Sequence, residues 1–452
     1  MKKNTLKKQS NPAPKFKITH KNNKITSQAG LIPVGQFLKR LGFQDVLEQE
    51  LDIHNACNEN FSPKHIIFLA VIGIIGGGRS ITGILRVWND RILNRLLGNT
   101  LIPHLTTLSR ICKKFRDGGV VQLETVNHKL RQRVWKEAKR KGALSAKDDD
   151  DLWVDVDSTV ITVYGKQKGA EKGFNPHKKG ARSYHPLLAF CTETKEILQG
   201  WFRCGSAYTS NGVVDFMQQL CEHLPSKRRV MFRGDSGYFQ GALLNFLEQR
   251  GFGFLIKVKL KGLTALLIRQ AWSPISGQPG WEQCTFEYQS KTWDNKRRLV
   301  AVRCENKEAT LKQKHSDQEN MFDYVVYDYF CYVVSETWTP WYTHKTYGKR
   351  ATSETWIEEA KNQSALGIIR TNDFLANAVL FQAAVLAYNT MRWMGLCSGK
   401  KNLRKWEPQT LRSFLIRIAG RLLTGSRQLE FRVTENTVYK EEQMAWFAIG
   451  IT

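Results

Sequence analysis

The chain has 452 residues, 42% of them hydrophobic and 24% charged, with a formal net charge of +27. That length and composition exclude a disordered or fibrous chain and leave room for two or three domains with real cores. So large a basic excess opposes compaction and points to a polyanionic partner, nucleic acid being the commonest, because each neutralised phosphate releases counterions.

The first 26 residues hold eight lysines and no acid, so residues 1–30 are expected to be a basic disordered arm. Lys2, Lys3, Lys7 and Lys8 have no apolar run behind them, which argues against a secretory signal. From Leu31 to Lys141 the pattern is helical, with Val34, Phe37, Leu38 and Leu41 on one face. The longest apolar run, Ile66 to Ile75, is shorter than the ~20 residues a bilayer needs, so it reads as a buried helix and no membrane partner is expected. Thr106-Thr107-Leu108-Ser109-Arg110 opens a basic segment, Leu108 to Phe115. With the helices before it, this fits a helix-turn-helix or an ordinary bundle equally. Lys129 to Lys141 reads as a basic helix, and Lys147 to Asp151 as a domain boundary.

At Leu152 the period changes. Leu152 to Asp157 alternates as a strand does, and further strands are expected at Ser183–Thr192, Ile197–Cys204, Arg229–Phe232 and Phe252–Val258. Helices fall between at Gly212–Leu224 and Phe239–Arg250, which makes a mixed α/β layout. Trp281–Tyr288, Arg297–Cys304 and Tyr324–Val334 form a β-rich insertion, with Trp272, Trp281 and Trp293 nearby. Tyr347 to Met394 is helical, its latter part apolar on most faces. A helix at Gln409–Leu423 and a strand at Leu429–Val433 follow. The nine cysteines include no C-x-x-C pair and are odd in number, which favours a reducing compartment over a disulfide framework or a zinc knuckle.

Three acids stand out. Asp155 and Asp157 share one face of a strand; either that face is solvated, or its buried carboxylates require a cation or a basic partner. Asp235, in Arg233-Gly-Asp235-Ser-Gly, ends a strand where α/β sheets collect ligands, though it reads equally as a helix N-cap. Glu354 shares a helical stripe with Tyr347, Arg350 and Lys361, unless Thr352 or Ser353 caps the helix and leaves Tyr347 and Arg350 in its entry turn; such stripes are usually solvated faces, but the neighbouring Trp356 suggests packing. Hard oxygen donors without His or Cys suit Mg²⁺, with Mn²⁺ able to substitute. Two such ions can clamp an in-line displacement at phosphorus. Lys166, Lys168, Lys172, Lys178, Lys179 and Arg182 crowd the loop after the first strand, where they either touch DNA or decorate a solvated hairpin.

The spacing Tyr347-x2-Arg350-x3-Glu354-x6-Lys361 resembles the Y-R-E-K signature of bacterial DDE transposases. Asp155-Val-Asp157-Ser-Thr and Arg233-Gly-Asp235-Ser-Gly resemble that superfamily's two aspartate motifs. Gly173-Phe-Asn-Pro176 through Gly180-x-Arg182 to Leu188 is similar to the insertion sequence 1380 group of the insertion sequence 4-like superfamily. The resemblance implies an α/β RNase H-like catalytic core with a β-rich insertion, preceded by an all-α DNA-binding region and followed by a helical C-terminal region. The corresponding limits are 31–147 for the helical DNA-binding domain, 152–259 with 337–395 for the core, 260–336 for the insertion and 396–452 for the C-terminal region.

It further implies that Asp157, Asp235 and Glu354 hold two Mg²⁺ ions. Tyr347, Arg350 and Lys361 would contact phosphates near a transposon end, with Asp155 and Glu358 as reserve ligands. A tryptophan of the insertion would be available to stack on a flipped base. The function so implied is cut-and-paste transposition: binding of terminal inverted repeats, then strand cleavage and strand transfer on double-stranded DNA. A homodimer on paired ends, in the bacterial cytoplasm at the nucleoid, completes the expectation. The rivals are an RNase H-like nuclease or resolvase without joining activity, and a non-catalytic DNA-binding descendant.

Overall fold

The computed structural model describes residues 24–53, 60–98, 101–145, 150–176, 178–207, 212–225, 228–316, 325–425 and 429–451. Residues 1–23 of the expected arm, 147–149 of the expected boundary and the start of the Tyr324 strand lie outside these.

A nine-stranded mixed sheet organises the chain. Its strands are β1 (Leu152–Ser158), β2 (Leu187–Cys191), β3 (Ile197–Trp201), β4 (Val230–Gly234), β5 (Gly253–Lys257), β6 (Ser273–Pro274), β7 (Trp281–Tyr288), β8 (Arg297–Glu305) and β9 (Tyr327–Val334). Their order is β6-β7-β8-β9-β5-β4-β1-β2-β3. β1, β4 and β5 run parallel, and every other pairing is antiparallel. The mixed α/β reading therefore holds. The β-rich segment does not form a sheet of its own, because Val333 pairs with Ile256 and carries β7–β9 onto the edge of β5.

Two helical layers cover the sheet. The larger contains α1 (Pro63–Ile75), α2 (Arg116–Arg140) and α5 (Phe374–Cys397), and the smaller contains α3 (Pro340–Gly348), followed by α4 (Ala351–Glu358). α1 starts at the Ser62 cap with Pro63 in its first turn, and every residue from Ile66 to Ile75 is buried. α2 runs unbroken through Gly118-Gly119, so the basic helix read at Lys129 begins more than three turns earlier. Leu105–Cys112 is helical, capped by His104.

α5 is long and apolar enough to cross a membrane, but protein covers it on all sides. Its few polar groups are matched within the core. Asn389 accepts from Ile197 N and donates to Asn127, and Gln382 donates to Gly200 O and to Glu124. Gln219 donates to the other Glu124 oxygen. Burial pushes the Glu124 carboxyl up to about 8. Its folded-state pKa thus lies above the unfolded value of 4.5, so its contribution is complete below pH 4.5 and is lost as pH rises through about 8. Glu124→Gln should therefore be more stable than wild type at pH 8.5, by at most about 5 kcal/mol, with the gap closing towards pH 4. Chemical denaturation at the two pH values measures this.

The two ends of the described chain meet. Ile25–Thr26 pairs with Arg421 and Gly420 of a hairpin, Gly420–Thr424 with Leu429–Val433. Residues 24–30, read as part of the arm, are therefore ordered. A Cβ on Gly30 would lie 1.8 Å from Leu415 O, which is why glycine stands there. The segment read as a helix to Leu423 instead becomes a strand at Gly420, after a short π-helical turn at Arg412–Ile416. Pairing with residues about four hundred positions earlier overrides the local helical pattern.

Candidate active site

β1 and β4 set the site. Val156 is the register partner of Gly234 in a parallel pair, so Asp157 and Asp235 leave the sheet side by side at the strands' C-terminal ends. Adjacent strands lie about 4.8 Å apart. Asp235 caps the 3-10 turn Ser236–Tyr238 by accepting from Gly237 N at 2.9 Å, so the N-cap reading of this residue is correct. Asp157 accepts from Ser158 N at 2.8 Å.

Asp155 is engaged elsewhere. Its carboxylate is 1% exposed and takes both arms of Arg233 across the strand pair, at 2.5 and 2.7 Å. Thr192 adds a third donor, and Arg233 also donates to Thr346 O and lies over the Trp153 ring. The basic partner demanded by two carboxylates on one strand face is thus Arg233 for Asp155. For Asp157 it is Arg350, with Nη2 2.6 Å from Asp157 Oδ2.

Arg350 is the buried hub of the site. Its Nη1 also lies 3.3 Å from Glu354 Oε1, so one guanidinium spans two of the three expected acids. Burial opposes its charge, but Asp157, Tyr347, Asp235 and Asp155 hold its pKa above that of an ordinary arginine. Burial pushes the Asp157 carboxyl up to about 6; Arg350 opposes this and Asp235 adds to it. Glu354 is 66% exposed, one turn into α4. Glu358 is exposed a turn later, beside Lys361.

The expected single stripe is broken into three pieces. Tyr347 ends α3, Arg350 sits at the junction, and Lys361 lies in the π-helical turn Glu359–Gln363. Thr352 and Ser353 do not cap α4; their hydroxyls donate back to Lys349 O and Arg350 O. Tyr347 packs on Tyr332 at 4.8 Å, and burial pushes its hydroxyl up to about 12. Lys361 Nζ donates to Val160 O at 3.2 Å, tying the turn to the exit of β1, and burial lowers its pKa.

Tyr238 was not legible as a site residue. The 3-10 turn buries it completely, its hydroxyl has no hydrogen-bond partner among the described residues, and it feels the charges of Asp157 and Asp235. Its position three residues after Asp235 was the available signal.

Arg182 is exposed on a strand of a small three-stranded sheet beyond β1 and Lys178 and Lys179 are exposed in the turn before it, Lys178 lying 4.6 Å over the Tyr164 ring. Trp293 is buried against Phe239 and Tyr288, and Trp272 packs on Tyr329 beneath Arg303. Trp281 is half-buried beside Trp341 and His344.

Three hard-oxygen donors at one end of the sheet, two of them adjacent, fit a divalent cation by chemistry. Arg350 meets only part of their negative charge. Among the described residues, however, no three Asp, Glu, His or Cys side chains converge as a metal-holding group, because Arg350 stands between Asp157 and Glu354.

Among solved structures, the chain is similar to a piggyBac transposase in a synaptic complex with hairpin DNA. Identity is 12%, covering 83% of this chain and 79% of that one, with a TM-score of 0.37. No curated protein matches the chain. The family described as transposase DDE domain group 1 matches residues 8–449, nearly the whole length, and the chain belongs to that DDE transposase family.

Proposed function

We propose that this transposase binds the inverted ends of an insertion sequence of the insertion sequence 1380 group, cuts the DNA there and joins the freed 3′ ends to target DNA. The observation that carries this is the pair Asp157 and Asp235 on adjacent parallel strand ends, with Arg350 and Glu354 brought over them from α4 and its entry. The half-sheet β3-β2-β1-β4-β5, antiparallel strands followed by two parallel ones, supports an RNase H-like core.

Asp157, Asp235 and Glu354 would hold Mg²⁺ or Mn²⁺, as two ions. Bound there, the metal would lower the pKa of an attacking water or 3′ hydroxyl and stabilise the leaving oxygen. Arg350 offers a planar fork to a non-bridging phosphate oxygen once its carboxylates are otherwise neutralised. Lys361 fixes the exit of β1, and with it the direction of Asp157. The buried Tyr238 hydroxyl, within the field of both aspartates, is a spare donor beside them. Lys178, Lys179 and Arg182 extend a basic surface along the DNA from the small sheet. The helical region 31–147 would read the ends, and a homodimer would pair them.

The test uses a labelled duplex carrying the gene's flanking ends, with Mg²⁺, and compares wild type with Asp235→Asn. Metal-dependent cleavage and joined products that vanish in the variant are expected. Cleavage without joining would replace this reading with a nuclease. Binding without chemistry in wild type would replace it with a non-catalytic DNA-binding protein.

A further inference from the structure

Away from the acids, the Gly76-Gly77-Gly78 turn after α1 lies between two adjoining cavities. One, of about 460 Å³, is lined by this turn, Gln28, Arg86 and Arg417. The other, of about 190 Å³, is lined by Gly77, Arg79, Gln363, Arg412 and Arg417. No acidic side chain lines either. The glycines are required by close approach. Gly77 has φ +103°, and a Cβ there would lie 2.5 Å from Arg417 Nη2. A Cβ on Gly78 would meet the Ile84 backbone at 2.6 Å. The arginine heads are thereby held against bare backbone.

This concentration of like charge costs free energy. Arg412 is buried, donating to Ile75 O and Gln363 O, and burial followed by the nearby Arg417 lowers its pKa to about 10. Arg370 donates to Arg79 O and is likewise lowered to about 10, chiefly by burial and with Arg79 contributing. A bound anion would relieve that cost.

The position says which anion. Arg79 reaches Asn362 O and Arg412 reaches Gln363 O, both just after Lys361 on the segment that carries Glu354. Along that helical segment the cleft is on the order of 10 Å from Glu354. A duplex lying across the acids and following this segment would run past it.

We propose that the cleft around Gly76–Arg79, Arg86 and Arg417 grips backbone phosphates of the DNA on which the acidic site acts, clamping the N-terminal helices, the end of the catalytic helix and the 408–417 segment onto one duplex. This rests on the DNA-processing reading above. Contacts of this kind carry no base information; they set register and orientation.

The test is binding of the flanking-end duplex by wild type and by Arg86→Gln/Arg417→Gln, whose side chains are exposed at the cleft. The double variant should keep the wild-type circular dichroism and melt no lower than wild type, since removing like charge relieves part of the cost. It should bind roughly tenfold more weakly, with the slope of log affinity against log salt reduced by about 1 to 2. A scan of single methylphosphonate substitutions should then find one or two positions that weaken wild-type binding but not the variant's. Unchanged affinity and slope, or a scan in which every position weakens both proteins equally, overturns the cleft while leaving the DNA reading standing. Wild-type protein that does not bind the duplex at all removes both.

Discussion

Arg350→Ala should lower DNA cleavage and joining by roughly 10²–10³-fold and, in the metal-free protein, destabilise the fold by about 3 kcal/mol near pH 7.5. The second effect follows from the site itself. Arg350 is the buried counter-ion of Asp157 and also touches Glu354. Without it, two adjacent carboxylates face each other with no cation. Asp157 already has a folded-state pKa near 6 against an ordinary 3.8, so its favourable contribution is complete below the lower value and lost as pH rises through the upper one. The loss caused by Arg350→Ala should therefore be largest above pH 6 and shrink below pH 4. If these carboxylates hold Mg²⁺, adding it should restore much of the variant's stability at pH 7.5, by mass action on the folded state. Thermal melts with EDTA and with Mg²⁺ measure this. A variant equally stable in both, and equal to wild type, would show that Arg350 is not the counter-ion. Arg350→Lys should restore charge but not the fork that spans two carboxylates, giving partial rescue of stability and little rescue of joining.

Arg233→Ala should cost about 3–5 kcal/mol, because it leaves the Asp155 carboxylate buried with only Thr192 as side-chain donor. It also removes the donor to Thr346 O, which ties α3 to the sheet, and the packing over Trp153 on the neighbouring strand. Denaturant melts of Arg233→Ala and of the double variant Asp155→Val/Arg233→Leu separate the causes. If the orphaned charge dominates, the double variant recovers most of the stability, since apolar replacement of a buried pair is often neutral. If the double variant is as unstable as the single, the contacts to α3 carry the cost.

The period-two alternation at Leu152–Asp157 was enough to place Asp155 and Asp157 on one face and to call for a cation or basic partners there. Which partner each takes was not readable, because it depends on the register of β1 against β4, and register between strands nearly eighty residues apart leaves no local trace. The stripe from Tyr347 to Lys361 was visible as spacing. Its division into two helices and a π-helical turn was not, since a stripe with the right period looks the same whether the backbone is continuous or reset at Arg350. The strands at 281–334 announced themselves by composition, yet their continuation of the main sheet depends on a single long-range edge, β5 with β9. The hairpin at 420–433 was half seen, because the residues that pair with it lie at 25–26.

That last closure has a consequence for how the protein comes into being. Leu31–Arg40 packs against Lys440–Ile451, and the Trp446 indole donates to Gly30 O across 416 positions. At 5–20 residues per second, a ribosome needs roughly 20–80 s to travel from one partner to the other. Through that interval Leu31–Arg40 waits without the C-terminal helix that finally packs against it. Interrupted translation would leave the N-terminal helices without that covering and without the Trp446 bond to Gly30.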